Sequence, residues 1–364
     1  MEGRWRTSPS IQGLQSKSPN FRFADYTDEW TRPRDLRLIK WSREAYNRES
    51  RIGPDTMSRK KKLVLGVLAI VIGLPVALIV TVLAWISISD KTNGTIVSSG
   101  ETRRYLLYVP KTYDASKPTP LVISLHPAAG WPAAERNITG WNRLADERGF
   151  VVVYPAGSGL SGFPQVWRTG RTSLGSDVKF ISDLMDKLEA EYNIDPARIY
   201  INGFSQGGGM VFLLSCRLSS RVAAVGAVSA AEERPSSWCG DSRPVPMIAF
   251  HGTADLVPYK GGKSPDPFNP LTFPDVEAWT ADWARRNQCK VDPIGTRVSA
   301  SVRRLTYGNC ADSADVVLYT IEGGGHTWPG GEELPKWLLG PTTHEVNATR
   351  LMWEFYLEHP RAAH

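Results

Sequence analysis

The stretch Ile199-Tyr-Ile-Asn-Gly-Phe-Ser-Gln-Gly-Gly-Gly-Met210 runs from an apolar, β-rich segment through a glycine-flanked serine into a helical pattern. Its centre, Gly-x-Ser-x-Gly over residues 203–207, is typical of a nucleophile elbow. In such an elbow the glycines let strand and helix approach each other, and the serine hydroxyl projects from the sheet. The pentapeptide alone arises easily by chance, so the prediction depends on the strand before it and the helix after it. Ser205 is therefore the candidate nucleophile.

The segments on both sides of this stretch alternate between β-rich and helical patterns. Several β-rich runs are continuously apolar, as in strands buried on both faces. The pattern predicts an α/β fold with a mostly parallel sheet, helices on both faces, and ligands at the carboxyl ends of the strands. The predicted strands are residues 104–109, 121–125, 150–154, 199–204, 223–228, 247–251 and 315–321, and the predicted helices are 138–148, 177–192, 206–218, 276–288 and 344–357.

A serine hydroxyl becomes a good nucleophile only when a base takes its proton, and an acid must orient that base. On this kind of fold the acid and then the histidine follow the serine along the chain. His326 meets the second requirement, because a glycine-rich loop joins it to the strand predicted at 315–321. The five other histidines lie at strand ends, at a helix start or near residue 364, where structural or incidental roles are expected: His126, His251, His344, His359 and His364.

The orienting acid is predicted to be Asp255, which lies in a turn directly after the strand predicted at 247–251. Two other carboxylates, Asp266 and Asp275, compete for this role. Both lie in a proline-rich stretch without a preceding strand, so Asp255 is favoured. Loops that follow parallel strands end at one edge of the sheet, where Asp255 and His326 could converge on Ser205.

Acyl transfer also requires two donors for the oxyanion of the tetrahedral intermediate. One is expected to be the backbone N–H of Gln206, which follows the nucleophile. The other is expected in the loop after the strand at 121–125. Pro127 has no N–H, so the donor is Ala128 or Ala129, of which Ala128 is favoured.

Four segments resemble the polyhydroxybutyrate depolymerase and feruloyl esterase group of α/β-hydrolases: Leu125-His126 with its loop, and residues 192–200, 251–255 and 319–330. The resemblance covers roughly residues 100–357. It implies the α/β-hydrolase fold, an esterase without a metal or organic cofactor, and a catalytic triad at the positions already singled out. One residue departs from the family pattern, which commonly has Gly where this chain has Pro127.

The expected function is hydrolysis of carboxylic esters, with an ester substrate and no nucleic-acid partner. Only eighteen residues, 229–246, lie where many hydrolases insert a cap, so we expect an open cleft that suits oligomeric or polymer-derived esters such as hydroxyalkanoate oligomers and feruloyl or acetyl esters. Trp328, Trp167 and His126 are the candidate substrate-binding residues, with core or turn positions as the alternative for the two tryptophans. Two rival functions are a catalytically silent, membrane-tethered binding module and a peptidase.

The formal charge of +6 is unevenly distributed. Residues 1–62 hold fifteen basic and eight acidic side chains, so the rest of the chain is nearly neutral and nucleic-acid binding is not indicated. Residues 63–86 carry no charge and would form a helix about 36 Å long, enough to span a bilayer. The basic cluster before this helix predicts a cytosolic, mostly disordered tail (1–62), a transmembrane anchor (63–86) and an extracytosolic catalytic domain (96–364). A cleaved signal peptide, or a true start at Met57, are the alternatives.

All four cysteines follow the predicted anchor, and their even number is typical of an oxidising compartment. Three pairings are possible. We favour Cys216 with Cys239 and Cys289 with Cys310, because these pairs close short loops, and the second pair also resembles a disulfide of the family. No Cys-x-x-Cys spacing suggests zinc.

Overall fold

A computed structural model describes residues 57–158, 165–168, 174–232, 234–240, 242–264, 271–290 and 292–362. Most of the predicted cytosolic tail, residues 1–56, lies outside the described residues, as does the competing carboxylate Asp266.

The first described element is a long apolar helix, α1, over Arg59–Ser89. Its stretch Arg59–Val82 contains an 18-residue window with a mean hydropathy of 3.0 and is long and apolar enough to cross a membrane. The described side chains of that stretch are exposed rather than packed in a protein core. The predicted anchor at 63–86 is thus helical, and the helix extends beyond it at both ends.

The rest of the described chain is built on a ten-stranded sheet with helices packed against it. The sheet strands are β1 Gly94–Ser98, β2 Glu101–Tyr108, β3 Thr119–Leu125, β4 Val151–Pro155, β5 Ile194–Phe204, β6 Ala224–Val228, β7 Met247–Gly252, β10 Ile294–Arg297, β11 Val302–Tyr307 and β12 Val316–Ile321; β8 Lys260–Lys263 and β9 Thr272–Asp275 form a separate antiparallel pair. The helices are α2 Pro132–Thr139, α3 Trp141–Arg148, α4 Leu174–Glu191, α5 Gln206–Arg217, α6 Val276–Arg286, α7 Lys336–Leu339 and α8 Ala348–Glu358.

The strand order across the sheet is β1-β2-β4-β3-β5-β6-β7-β12-β11-β10. The six strands from β4 to β12 are parallel to one another, whereas the outer strands on both sides are antiparallel. Two buried apolar clusters cover the two faces of the sheet. This architecture is the α/β-hydrolase fold, and it confirms the predicted fold class.

All seven predicted strands are present, but three strands of the main sheet were not predicted. They are β1 at one edge of the sheet, β10 at the other edge and its neighbour β11; β10 is fully exposed, whereas most residues of β1 and β11 are at least partly buried. Because β1 begins at Gly94, the first strand starts two residues before the expected domain boundary at 96. The predicted helix 138–148 is also two helices, α2 and α3, because Gly140 between them has a φ of 67°.

Two disulfides confirm the favoured pairing of the cysteines. Cys216 at the end of α5 is bonded to Cys239, and Cys289 after α6 is bonded to Cys310. The bonds span 23 and 21 residues, so each closes a local loop beside the sheet.

Candidate active site

Ser205 lies at the sharp turn between β5 and α5, as the elbow pattern predicted. Its backbone has φ 54° and ψ −119°, a conformation that non-glycine residues rarely adopt and that costs free energy. Hydrogen bonds on both sides hold it there: the Ser205 N–H donates to the Val228 carbonyl at 2.8 Å, and the Ser205 carbonyl accepts from Gly209 N–H at 3.1 Å. The strained turn is therefore fixed by the neighbouring strand β6 and by the first turn of α5.

The second glycine of the elbow is required by the packing of α5 against β3. A Cβ at Gly207 would lie 2.1 Å from the carbonyl oxygen of Leu125, a backbone atom that cannot move without shifting the strand. Gly209, one half-turn further along the same helix, has no such neighbour, because a Cβ there would meet only the Glu232 carboxylate at 3.5 Å.

We expect Gly207→Ala to lower the free energy of unfolding by about 3 kcal/mol or more, through overpacking against Leu125, and to abolish esterase activity. Gly209→Ala in the same helix is the matched control and should be neutral or stabilising by up to about 1 kcal/mol, since Ala favours helix. Urea unfolding and esterase assays of the two variants measure this difference. Equal stability of the two variants would contradict the close packing of strand and helix at the elbow.

Asp255 and His326 are in direct contact, although 71 residues separate them along the chain. The Nδ1 of His326 lies 2.6 Å from Oδ1 of Asp255, and that oxygen also accepts from the Val257 N–H at 2.7 Å. Two glycines make the approach possible: a Cβ at Gly252, the last residue of β7, would clash with the carbonyl oxygen of Gly324 in the loop after β12. Asp275, the described competitor for this role, instead caps α6 by accepting from the Ala278 N–H.

Burial of the Asp255 carboxyl would by itself raise its pKa, but the interactions with His326, together with smaller ones from His251 and Ser229, outweigh burial, and the pKa is lowered. A carboxylate at this position accepts from the imidazole, so Nδ1 of His326 carries the hydrogen and Nε2 is left to act as a base. The local electrostatics therefore fix the tautomer that proton abstraction from a serine requires.

Ser205 and His326 line the same cleft, which has a volume of about 940 Å³. Its other walls are the loop after β3, the helix α2, Leu256 after β7, and the segment before and within α7. The walls are mainly apolar, and three charged residues, Lys91, Arg136 and Glu332, also line the cleft.

Several cleft residues escaped the sequence analysis, among them Phe204, Leu256, Leu334, Leu338 and Leu339. Phe204 belongs to the quoted elbow, so its position beside Ser205 could have been read from the motif. The leucines of α7 form an apolar run in a loop region after the predicted base, and such a run near a site is the signal that could have found them.

The loop after β3 forms a tight turn in which the Gly130 N–H donates to the Pro127 carbonyl at 2.9 Å. Ala129 has a φ of 58°, the left-handed conformation that a type II turn requires at its third residue. Its N–H donates to the Gln165 carbonyl at 2.8 Å and so is already engaged. Ala128 is exposed and lines the cleft, and its N–H has no partner among the described residues.

Gln206 is the first residue of α5, where backbone N–H groups lack partners within the helix. The positive end of the helix dipole also lies there and favours an anion. The turn at Pro127 and the start of α5 thus provide the two candidate oxyanion donors, Ala128 and Gln206, at the same end of the sheet.

The prediction that Trp328 binds substrate is wrong. Its side chain is completely buried, and its Nε1 donates to Thr349 Oγ1 at 2.9 Å. The indole packs edge-on against Phe204 beneath the cleft rather than lining it. The alternative interpretation, that Trp328 is an aromatic residue of the core, is the one observed.

Trp167 and His126 do not line the cleft either. Trp167 is 2% exposed, and its Nε1 donates to the carbonyl oxygen of His126 at 2.8 Å. His126 is fully buried, with Nε2 accepting from the Gly157 N–H and Nδ1 facing the Pro127 carbonyl. The side-chain nitrogens of both residues are thus hydrogen-bonded to backbone groups behind the site. The prediction of direct substrate contact is wrong for both.

A second carboxyl, Glu135 of α2, is buried behind the loop after β3. Its Oε1 accepts from Ser124 Oγ at 2.9 Å, whereas Oε2 has no partner among the described atoms. Burial raises the pKa of Glu135 to about 8. The side chain is therefore neutral at pH 7 in the folded protein.

Glu135→Gln is expected to remove a pH dependence of stability. The folded-state pKa is raised, so the unfolded chain ionises first and wild-type stability declines by roughly 1 kcal/mol per pH unit as the pH rises from 5 to 8. The free energy of unfolding of the neutral variant, measured with urea at pH 5 and at pH 8, should therefore rise relative to that of the wild type as the pH rises. The same change at the exposed Glu354 of α8 is the control. A constant difference between Glu135→Gln and wild type would show that Glu135 is ionised in the fold.

Among the described residues, no group of three or more His, Cys, Asp or Glu side chains is arranged to hold a metal ion. The cleft is lined by Ser205, the candidate nucleophile, by His326, the candidate base, and by Ala128, a candidate oxyanion donor.

Comparison with known proteins agrees with this architecture. The family model described as "Esterase PHB depolymerase" matches residues 103–233, which run from β2 past the elbow. "Putative esterase NocK" of Nocardia uniformis subsp. tsuyamanensis is 31% identical over 66% of this chain and 74% of its own length. Feruloyl esterase B of Piromyces equi is 30% identical over 63% of this chain, which spans 44% of that protein. "Probable feruloyl esterase C" of Aspergillus terreus is 30% identical over 73% of this chain and 87% of its own length.

These likenesses, together with the fold, define the class of protein: a carboxylic ester hydrolase of the serine type. The chain belongs to the polyhydroxybutyrate depolymerase and feruloyl esterase-like family of α/β-hydrolases.

Proposed function

We propose that Ser205, His326 and Asp255 are the catalytic triad of this esterase. The observation that carries the proposal is the 2.6 Å contact of His326 Nδ1 with a buried carboxylate, in a cleft that the strained Ser205 also lines. His326 Nε2 takes the hydroxyl proton as Ser205 Oγ attacks the ester carbonyl. Asp255 stabilises the imidazolium that forms.

The tetrahedral intermediate places its oxyanion at the start of α5, within the reach of the Gln206 and Ala128 N–H groups. His326 then returns the proton to the leaving alcohol, and the acyl-enzyme remains on Ser205. Water, deprotonated by the same imidazole, attacks the acyl-enzyme, the acid leaves and Ser205 regains its proton. The ester and one water are consumed, the alcohol and the acid are released, and Ser205 and His326 return to their initial protonation states.

The cleft supports a bulky, largely apolar ester as substrate. Its volume of about 940 Å³ exceeds what a short acyl group fills, and its walls are mainly apolar. The segment between β6 and β7 contains only a short 3₁₀ turn, Ser236–Cys239, among its described residues. We propose oligomeric or polymer-derived esters, with hydroxyalkanoate oligomers and feruloyl or acetyl esters as the candidates.

A substrate panel tests this proposal. Purified protein should hydrolyse hydroxybutyrate oligomers, methyl ferulate and acetylated xylan oligosaccharides at different rates, and at least one of them should exceed p-nitrophenyl acetate in kcat/KM. A clear preference for the small nitrophenyl ester over the whole panel would overturn the choice of substrate class, while leaving the triad untouched.

The apolar helix α1 and the two disulfides fit a secreted or membrane-anchored extracellular domain. We further propose that α1 anchors the protein with residues 1–62 in the cytosol and the catalytic domain outside, because the Arg-Lys-Lys-Lys run at 59–62 directly precedes the uncharged stretch 63–86 of that helix. Protease added to intact cells should then digest the catalytic domain and spare an epitope placed before residue 57. Protection of the catalytic domain would refute the orientation.

A further inference from the structure

The described segment 165–168, here called the clamp segment, contacts both elements that carry the candidate oxyanion donors. The Trp167 N–H donates to the side-chain Oε1 of Gln206 at 2.9 Å, and the Trp167 Nε1 donates to the His126 carbonyl at 2.8 Å. The Gln165 carbonyl accepts from the Ala129 N–H at 2.8 Å. These three hydrogen bonds reach the residue after the nucleophile and both sides of Ala128.

The bonds are shielded from water, since Gln165 and Trp167 are each 2% exposed. A hydrogen bond in such surroundings constrains geometry more strongly than one at the surface. The indole of Trp167 also packs on the His126 ring, with centroids 5.0 Å apart. Movement of Trp167 would therefore displace the backbone on either side of Pro127.

His126 is a neutral ring that connects Trp167 with the turn at Pro127. Burial lowers its pKa to about 4. The neutral imidazole donates from Nδ1 to the Pro127 carbonyl at 2.7 Å and accepts at Nε2 from the Gly157 N–H at 2.9 Å. The same Pro127 carbonyl closes the turn by accepting from Gly130.

The clamp segment is itself anchored on its far side. The Arg168 N–H donates to Asp177 Oδ2 at 2.7 Å, and Asp177 is completely buried in an ion pair with Arg103 at 2.6 Å. The Gln165 amide donates to Asp90 Oδ2 at 3.0 Å. Trp167 thus connects a fixed frame to both oxyanion elements.

We propose that Trp167 is a positioning residue that sets the separation of the Gln206 and Ala128 N–H groups, although it does not touch the substrate. This inference rests on the proposed function. It replaces the predicted role of Trp167 as a wall of the cleft with an indirect role in stabilising the oxyanion.

Trp167→Phe tests the proposal, because it keeps an aromatic ring and removes the indole N–H donor, and the accompanying loss of ring volume is matched in the control variant. We expect kcat/KM to fall by about 10-fold, a fraction of the loss that follows removal of a whole oxyanion donor. The inhibition constant of a trifluoromethyl ketone, whose adduct with Ser205 carries an oxyanion, should rise by the same factor. The inhibition constant of the alcohol product should stay unchanged, because that ligand carries no anionic oxygen.

Trp283→Phe is the matched control. Trp283 of α6 is also 2% exposed and does not line the cleft. Its Nε1 donates to the Val245 carbonyl at 3.0 Å. Its variant should lose comparable stability and keep wild-type values of kcat/KM and ketone inhibition. Equal losses in both variants would show that Trp167 acts only through stability and would overturn the proposal.

Gln206→Met is a second variant, which breaks the other bond of Trp167 but keeps the Gln206 backbone N–H. It should weaken ketone inhibition and kcat/KM in parallel, as Trp167→Phe does. Weaker binding of the product alcohol, without weaker ketone inhibition, in either variant would assign Trp167 to substrate binding instead. Failure of the ketone to inhibit the wild type would refute the proposed triad itself, a result distinct from failure of the clamp.

Discussion

Replacing Ser205 with Ala is expected to lower kcat by about 10⁶-fold, the loss that follows removal of the nucleophile when the members of a triad act as a unit. The Oγ of Ser205 is the atom that would form the acyl bond, and Ala offers no substitute. The fold should survive, because the backbone bonds of Ser205 to Val228 and Gly209 do not involve the hydroxyl. Steady-state hydrolysis of a nitrophenyl ester measures the loss.

Two controls belong with this variant. The unfolding midpoint of Ser205→Ala should stay close to that of the wild type. Ser301→Ala removes a hydroxyl that donates to Glu345 at 2.9 Å, away from the cleft, and should leave kcat unchanged. Substantial activity in Ser205→Ala at wild-type stability would rule out Ser205 as the nucleophile.

Asp255→Asn is expected to lower kcat by about 10⁴-fold, as the same change does to the orienting acid of other triads. An amide donor facing Nδ1 would favour the tautomer that carries the hydrogen on Nε2, which is then unable to accept the proton of Ser205. The charge that stabilises the imidazolium would also be lost. The rate should recover in part at higher pH, where hydroxide can replace the missing base.

Asp275→Asn is the matched control, since the same substitution is made in the carboxylate that competed for this role. Asn caps helices as well as Asp does, so the hydrogen bond from Ala278 to residue 275 is kept and both stability and kcat should change little. A larger loss of activity in Asp275→Asn than in Asp255→Asn would assign the orienting role to Asp275.

The central parallel strands and the elbow could be predicted because their determinants are local. Continuous apolar runs mark strands buried on both faces, and the glycines around Ser205 are needed for contacts within one strand-turn-helix unit. The order of Ser205, Asp255 and His326 along the chain was equally visible, because each follows a recognisable strand.

The edge strands were missed for a physical reason. β10 is fully exposed, β1 alternates between partly buried and exposed residues, and neither carries the apolar run that marks a central strand. Each is held by pairing with its neighbour, β11 or β2, rather than by burial of its own side chains. Which strand each edge strand pairs with depends on the whole sheet and cannot be predicted from a short stretch of sequence.

The aromatic residues near the site were misinterpreted for a related reason. Trp328 lies two residues after His326, but its side chain points into the core and reaches Thr349. Trp167 lies in a polar stretch that suggested exposure, yet its indole N–H and backbone N–H are bound by residues 41 and 39 positions away in sequence. Neither the closeness of Trp328 to His326 along the chain nor the polar surroundings of Trp167 could indicate which way the side chains point.

The most direct measurement is active-site labelling with a fluorophosphonate, followed by peptide mass spectrometry. A single phosphonyl group is expected on Ser205, in the peptide that contains the elbow, and labelling should fall to background in His326→Ala although Ser205 is still present. Label on another residue, or equal labelling of the wild type and His326→Ala, would contradict a Ser205 nucleophile activated by His326.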